Sequence, residues 1–226
     1  RFELLPTARR EYRAAAPGRV DLMVEQYQRV DAGDVLYRFD SPTWRDLQRD
    51  IADAHAALSL AEAASDSIAP FMEAHESHHV EIQSAVDLWV ARVAELDALR
   101  SAGGVGGEQV AQARASLAAA RADLAETLEK EAELMARQRE AAAQLAASGA
   151  RLRIALESAA ALTGLSVQAL THVDQGVPRW QSLSQIEVRA AAPGVVDALH
   201  VSSGAAVESS APVLETVQPD LLRFRA

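Results

Sequence analysis

The pentapeptide AAAPG occurs twice in this chain, at residues 14–18 and again at residues 190–194. The sequence after each copy is also similar, because β-forming and small residues recur at every third position. These are Val24, Tyr27, Val30, Gly33 and Leu36 after the first copy, and Val201, Gly204, Val207, Ser210 and Val213 after the second. A repeat at so long a separation indicates two halves of one β module with an insertion between them. The turn residues expected to shape the module are Pro17, Gly18, Gly33, Pro193, Gly194 and Gly204.

The insertion has the composition of two long helices. Ser41 and Pro42 are typical of a helix start, with Ser as the capping residue and Pro at the first helical position. A Gly-rich segment at 101–107 interrupts the helical pattern, and a second Ala-, Leu- and Glu-rich arm runs from 108 to about 163. Gly164 is the expected C-cap of that arm, and a short helix is expected over 166–171, with a loop over 172–184.

Both arms carry heptad patterns, which predict an antiparallel coiled-coil hairpin. In the first arm the two seams are Ile51, Leu58, Ser65, Met72, His79, Val86 and Val93, and Leu47, Ala54, Ala61, Ile68, His75, Ile82, Trp89 and Leu96. In the second arm they are Val110, Leu117, Leu124, Glu131, Gln138, Leu145 and Leu152, and Ala113, Ala120, Thr127, Leu134, Ala141, Ser148, Ala155 and Leu162.

Pro70 interrupts the first arm, since proline lacks an N–H and clashes with the preceding helical turn. One interpretation is a kinked hairpin, and the other is a set of three helices in which the first folds back at Pro70. The heptad phase is unbroken across Pro70, which favours the kinked hairpin.

Composition excludes several classes of function. The net charge of −10 argues against a nucleic-acid partner, and the lack of cysteine excludes disulfides and Cys-based zinc sites. No apolar run has the length of a membrane span, and no signal peptide is visible; the chain begins with Arg, which suggests a mature form or a fragment. Lys130 is the only lysine.

Two β units related by a turn resemble the lipoyl and biotinyl carrier fold. In a carrier the modified lysine lies at the hairpin between the halves, where this chain has Asp40, Ser41 and Ile186 instead. We therefore expect neither lipoyl nor biotin attachment.

A lipoyl-like module split by a helical hairpin resembles the membrane fusion proteins, the HlyD-like periplasmic adaptors of tripartite efflux and secretion systems. The resemblance covers nearly the whole chain, through the stretches APGRVDLMV, RVDAGDVLYRFDSP, IEVRAAAPGVVDALHVSSGAAV and LLRFRA and the two arms between them. It implies an α+β fold in which a split lipoyl-like β-sandwich is interrupted by a long antiparallel coiled-coil hairpin. It also implies a periplasmic subunit of a Gram-negative envelope, without enzymatic activity, that bridges an inner-membrane transporter to an outer-membrane channel as a homo-oligomer, usually a hexamer. LYRFDSPTWRDLQRDI and ALTGLSVQALTHV resemble the heavy-metal efflux branch, which works with RND transporters.

The resemblance gives the following domain boundaries. Residues 1–13 are a partial strand of a further β domain, 14–40 the first lipoyl-like half, 41–164 the hairpin, 165–185 a short helix and loop, 186–218 the second half, and 219–226 the start of a truncated β-barrel whose partner strand is 2–5.

The chain departs from the family pattern at several positions. Tyr27 and Ser210 stand where many family members have Gly. At the tip, Leu99 fits the family's docking pattern, whereas Glu95 and Gly106 replace its Arg and Ser, with Arg92 one turn away. The residues expected to contact the channel are Arg92, Leu99, Gly103, Gly104, Val105, Gly106 and Gly107.

The segment His75-Glu76-Ser77-His78-His79 matches the H-E-x-x-H pattern of zinc proteases. A chelator-sensitive hydrolase is one alternative function, although a coiled coil offers no substrate cleft, and a free-standing coiled-coil scaffold is another. Folding the hairpin at residue 104 places His75 and His79 opposite Glu133 and Glu129, so these four side chains are a candidate Zn²⁺ or Cu²⁺ site, or else polar breaks in the seam.

Overall fold

The structure is a computed structural model that describes residues 3–6, 9–218 and 222–225. The helices are α1 (Pro42–Asp66), α2 (Ala69–Ser101), α3 (Gly107–Thr163), α4 (Val167–Thr171) and α5 (Arg179–Ser182). The strands are β1 (Glu3–Pro6), β2 (Arg9–Arg13), β3 (Gly18–Leu22), β4 (Arg29–Val30), β5 (Val35–Asp40), β6 (Val173–Asp174), β7 (Val177–Pro178), β8 (Ile186–Arg189), β9 (Gly194–Leu199), β10 (Ala205–Val207), β11 (Pro212–Val217) and β12 (Leu222–Arg225). The chain divides into a hairpin unit, Ala56–Ala150, and a sandwich unit formed by Arg1–His55 and Arg151–Ala226.

The sandwich unit contains two four-stranded antiparallel sheets, ordered β10-β3-β5-β8 and β2-β11-β9-β4. Each sheet combines strands from both ends of the chain. Strands β2, β3, β4 and β5 of the first half correspond to β8, β9, β10 and β11 of the second. Exchanging each strand for its counterpart converts the order of one sheet into that of the other, which is the pattern of a pseudo-twofold axis. The split β-sandwich expected from the repeat is therefore confirmed. A free-standing coiled coil required the two AAAPG units to be apart, and they are packed together.

Backbone hydrogen bonds between the halves occur in equivalent pairs. The N–H of Gly33 donates to the carbonyl of Ala190 at 2.8 Å, and the N–H of Ser210 donates to the carbonyl of Ala14 at 2.8 Å. A second pair joins Tyr27 to Val196 and Gly204 to Val20, both at 2.7 Å. Because each half satisfies the polar backbone of the other, neither is complete alone.

The repeat proves longer than five residues, since Glu-x-Arg precedes AAAPG in both copies. Arg13 binds Glu11 and donates to the carbonyl of Ser210 at 3.1 Å. Its counterpart Arg189 binds Glu187 and donates to the carbonyl of Gly33 at 2.8 Å. Each arginine thus holds a turn of the opposite half.

The turns of the two halves are also equivalent in backbone conformation. Tyr27 and Gly204 have φ of 67° and 84°, and Gly33 and Ser210 have φ of 95° and 65°. Each equivalent pair therefore contains one glycine and one residue with a side chain. The positions at which the sequence departs from the family's glycines are those where the backbone is left-handed, a conformation that disfavours a Cβ atom.

We expect Ser210→Gly to raise the free energy of unfolding by about 0.5–1 kcal/mol, because relief of left-handed strain exceeds the entropy that glycine loses on folding. Ser209, also exposed but without a positive φ, provides the matched control, and Ser209→Gly should lower stability. Urea unfolding of the three proteins measures the effect. Equal losses in both variants would show that the turn carries no strain.

The roots of α1 and α3 pack on the sandwich within the same unit. Trp44 and Ile51 of α1 and Ala159 of α3 share one core with Leu36 and Val213 of the sheets. The indole N–H of Trp44 donates to the carbonyl of Leu183 at 2.8 Å. Ser41 occupies the capping position as expected, since α1 begins at Pro42 and the carbonyl of Ser41 accepts from the N–H of Arg45. Its hydroxyl donates to the carbonyl of Pro17 at 2.9 Å.

Tyr37 is the most deeply buried ionisable side chain of the sandwich core. It is 1% exposed, and its hydroxyl donates to the carbonyl of Arg13 at 3.2 Å. Burial, with a smaller effect of Tyr12, raises the pKa of Tyr37 to about 12. The phenol therefore stays neutral, as a buried hydrogen-bond donor must.

The segment 172–184, expected to be a loop, contains regular secondary structure. Its strands β6 and β7 form a small hairpin whose turn residues, Gln175 and Gly176, have φ of 50° and 84°. The one-turn helix α5 follows. Gly164, with φ of 69°, and α4, capped by Ser166, match the expectation.

Strands β1 and β12 pair in register from Glu3 with Arg225 to Pro6 with Leu222, as expected for the two ends of the chain. Phe2 lies outside the described residues. Strand β2 differs from the predicted boundary, because it pairs with β11 and belongs to the sandwich rather than to a further domain.

In the hairpin unit, α1 and then α2 run antiparallel to α3. Near the base, Gly149 approaches the Cδ1 atom of Leu58, and near the tip Arg114 binds Asp97. The first arm breaks at residues 67–68, yet α2 continues along α3 in the same direction, so the kinked hairpin describes the structure and the fold-back does not. Of the seam residues, only Gln138 is exposed.

Candidate functional site

The tip of the hairpin is a tight turn between two helix ends. Helix α2 ends at Ser101, and the N–H groups of Gly103 and Gly104 donate to the carbonyls of Arg100 and Leu99 at 3.0 and 2.9 Å. Gly103 has a φ of 76°, which explains the need for glycine there. An added Cβ on Gly106 would meet nothing within 4 Å. The glycines shape the turn and leave its surface open.

A groove of about 550 Å³ lies beside this turn, between α2 and α3, and is called the tip groove. Its lining residues are Trp89, Arg92, Leu96, Leu99, Val105, Glu108, Gln109, Gln112 and Ala113. Its floor is apolar because Leu96, Val110 and Ala113 form a buried cluster beneath it. Leu99 remains 43% exposed at its edge.

Three of the tip residues expected from the sequence, Arg92, Leu99 and Val105, meet in the tip groove. Arg92 forms an ion pair with Glu95 at 2.7 Å. Glu95, which stands where the resemblance predicts arginine, thus offsets the charge of Arg92 one turn away. The polar rim formed by Gln109 and Gln112 was not anticipated. Gln109 and Gln112 directly precede the seam residues Val110 and Ala113, so the heptad pattern could have indicated that they border the seam.

A second groove, of about 470 Å³, lies between α2 and α3 farther from the tip and is called the acidic groove. Its lining residues are His75, His78, Ile82, Asp123, Glu126, Thr127, Glu129, Lys130 and Glu133. The Lys130 ammonium, followed by the charge of Arg137, lowers the pKa of Glu133. The Nε2 atom of His75 is buried and has no hydrogen-bond partner in the described part of the chain.

The candidate metal residues do not converge. His75 lies in the acidic groove with Glu129 and Glu133, but His79 does not line it. Within residues 9–218, no group of three or more His, Asp and Glu side chains is arranged to hold a metal ion. Glu133 instead binds Lys130 and Arg137. The HESHH segment is a run of α2 in which two histidines occupy seam positions.

The lipoyl-like turns carry no lysine, because Lys130 lies within α3. Pro17 and Pro193 precede the two glycines at which β3 and β9 begin. Gly18 and Gly194 permit close backbone approach rather than attachment of a group.

None of the helices in the described ranges combines the length and apolarity of a bilayer span. No protein-family model and no curated protein matches the sequence.

Several solved structures similar to this chain are described as periplasmic adaptor or membrane fusion proteins, the class that the sequence resembles. The periplasmic adaptor protein EmrA is 12% identical, with 99% of this chain and 76% of that chain covered and a TM-score of 0.41. ZneB from Cupriavidus metallidurans is 17% identical, with 96% and 64% covered and a TM-score of 0.42. The soluble domain of LipC, a membrane fusion protein of a type I secretion system, is 14% identical, with 94% and 100% covered and a TM-score of 0.37. The chain spans less than two thirds of ZneB, and identities this low concern the fold alone.

Proposed function

We propose that this chain is the adaptor subunit of a tripartite efflux assembly in the periplasm of a Gram-negative bacterium. It would bridge an inner-membrane transporter to an outer-membrane channel, as one of several copies, six in the family's usual assembly. The role is mechanical, and we expect no catalysis. The resemblance of its hairpin root to the heavy-metal branch favours an RND transporter as the inner-membrane partner.

One observation carries the proposal. The two ends of the chain close into a single pseudo-twofold sandwich, and the helices that leave it form a hairpin ending in an open apolar groove. A carrier would need a lysine in the turn between the halves. A metal-dependent hydrolase would need converging ligands, and no group of three or more His, Asp and Glu side chains among residues 9–218 is arranged to hold a metal ion.

The tip groove suits a helical partner. Apolar side chains form its floor and the exposed Leu99 its edge, while the glutamines on its rim offer hydrogen bonds to a partner's polar face. This is the usual chemistry by which a groove receives an amphipathic helix. The helical periplasmic end of an outer-membrane channel has the matching form.

The proposal predicts that Leu99→Asp weakens binding to an outer-membrane efflux channel held in a lipid nanodisc by about tenfold or more, because a charge would be buried against the apolar floor. Biolayer interferometry with immobilised chain measures this across a panel of channels. Leu60, 73% exposed on α1, is the matched control, and Leu60→Asp should bind as the wild type does. Binding to no channel, or equal loss in both variants, would contradict the proposed role of the tip.

A further inference from the structure

Side chains on one flank of α3 form an exposed ridge. Arg121, Leu128 and Met135 recur every seven residues, and each follows a buried seam residue, so all three lie beside the seam on the same flank. Arg139 is four residues beyond Met135 and continues the ridge. Arg114, seven residues before Arg121, begins the same series and forms an ion pair with Asp97 of α2. Asp97 directly follows the seam residue Leu96, so residues that follow this seam of α2 lie on the same flank of the hairpin as the ridge.

The ridge combines apolar and basic character. Leu128 is 48% exposed and Met135 is 38% exposed. Ala125 and Ala132, one turn before and one turn after Leu128, are also exposed, so no large side chain adjoins Leu128 on the ridge. Neither Arg121 nor Arg139 forms an ion pair within residues 9–218. Two free positive charges thus bracket an apolar protrusion.

The acidic groove lies on the opposite flank. Asp123 and Lys130, which line it, directly precede Leu124 and Glu131 of the other α3 seam. In the tip groove, Gln109 precedes Val110 of that seam in the same way, so both grooves lie on this flank. Glu140 continues the series of Glu126 and Glu133 at the same spacing. Asp123, Glu126 and Glu140 form no ion pair among the described residues.

The two flanks match in axial position as well as in charge. At 1.5 Å per residue, Arg121 lies about 3 Å along the axis from Asp123, and Arg139 about 1.5 Å from Glu140. Leu128 stands at the level of Glu126 and Lys130, where the groove is open. A copy placed alongside in the same direction, without axial shift, would bring each arginine to a carboxylate and Leu128 to the groove.

We infer that the ridge of one hairpin docks in the acidic groove of a second copy of this chain. The contact is heterologous, so it repeats from copy to copy and can close into a ring. Pairing ridge with ridge would instead bring unpaired arginines together. The inference rests on the proposed function only in that an adaptor conduit requires several copies, and it assigns the face through which the copies meet.

The lack of cysteine permits a direct test by disulfide cross-linking. Full-length Arg121→Cys/Asp123→Cys should give a ladder of oligomers on oxidation, because each copy carries one cysteine on the ridge and one at the groove. Either single variant should remain uncross-linked, and a mixture of the two should stop at the dimer. Ala56→Cys/Ala63→Cys, two exposed positions seven residues apart on α1 and outside both the ridge and the groove, is the control and should give no ladder.

Charge reversal supplies a second readout in sedimentation equilibrium. Arg121→Glu should weaken association by about tenfold, and Arg121→Glu/Asp123→Arg should restore it, because the pair is exchanged across the interface. Leu128→Glu should also prevent association, whereas Leu60→Glu should not.

Dimers formed by a single-cysteine variant alone, or the absence of any ladder from the double variant, would overturn the inference. If the double variant gives no ladder but Leu99→Asp still loses the channel, only the assigned face between copies is wrong. If the ladder forms and no channel binds, the interface stands and the proposed function fails.

Discussion

Trp44→Ala should lower the free energy of unfolding by about 3–5 kcal/mol, the usual cost of emptying a fully buried aromatic site. Trp44 is 1% exposed in the core that joins the roots of α1 and α3 to the sheets, and its indole N–H holds the carbonyl of Leu183. Its loss leaves a cavity and removes one of the two hydrogen bonds to that carbonyl, which also accepts from the side-chain amide of Gln48 at 3.1 Å. Chemical unfolding followed by far-ultraviolet circular dichroism avoids dependence on tryptophan fluorescence.

Two further variants separate the contributions. Trp44→Phe keeps most of the apolar volume and loses the hydrogen bond, so we expect its free energy of unfolding to lie between those of the wild type and Trp44→Ala. Trp180 is only partly buried against the same core, and Trp180→Ala should cost less. A Trp44→Ala protein as stable as Trp180→Ala would mean that the helix root is not anchored through this side chain.

Gly18→Ala should destabilise the sandwich by about 2–3 kcal/mol, the upper part of the range for overpacking a well-packed site. A Cβ atom there would lie 2.4 Å from the carbonyl oxygen of Asp40 and 2.8 Å from the ring of Phe39. Because the first contact is with backbone, no side-chain rotation relieves it. Urea denaturation measures the loss.

The twofold relation supplies a graded comparison for this prediction. A Cβ atom on Gly194 would lie 2.8 Å from the carbonyl oxygen of Val217, so Gly194→Ala should also destabilise, by less. Gly106→Ala meets nothing within 4 Å and is the neutral control. Equal stability of Gly18→Ala and Gly106→Ala would contradict the close packing of the repeat.

Much of the fold was accessible from the sequence because its strongest signals are periodic. The AAAPG repeat identified two halves of one module, and every seam residue that the heptads predicted, except Gln138, is buried or partly buried. Gly164 was recognisable as a helix end because few other residues adopt its left-handed conformation at little cost.

Other features depend on contacts that no local pattern encodes. Ser41 had the signature of a helix cap and precedes α1, but no local pattern indicated that its hydroxyl donates to the carbonyl of Pro17 in the AAAPG turn. The hairpin of β6 and β7 turns through Gln175 and Gly176, and glutamine is a weak signal for a left-handed turn position. Of the tip groove, Arg92, Leu99 and Val105 were predicted. Of the acidic groove, the sequence placed His75 opposite Glu129 and Glu133, but the separation of His79 from them depends on the relative rotation of α2 and α3, which the seams define only approximately.

The shared sheets also constrain the order of events during synthesis. Strand β2 emerges from the ribosome early but pairs only with β11, and β4 pairs only with β9, both of which follow the helical arms in the chain. Strands β2 and β4 of the first half therefore remain without their partner strands while both arms are translated. Such distant pairing makes assembly slow and leaves the waiting strands prone to aggregation. A helper that shields nascent segments would find its clearest substrate in residues 9–40 of this chain.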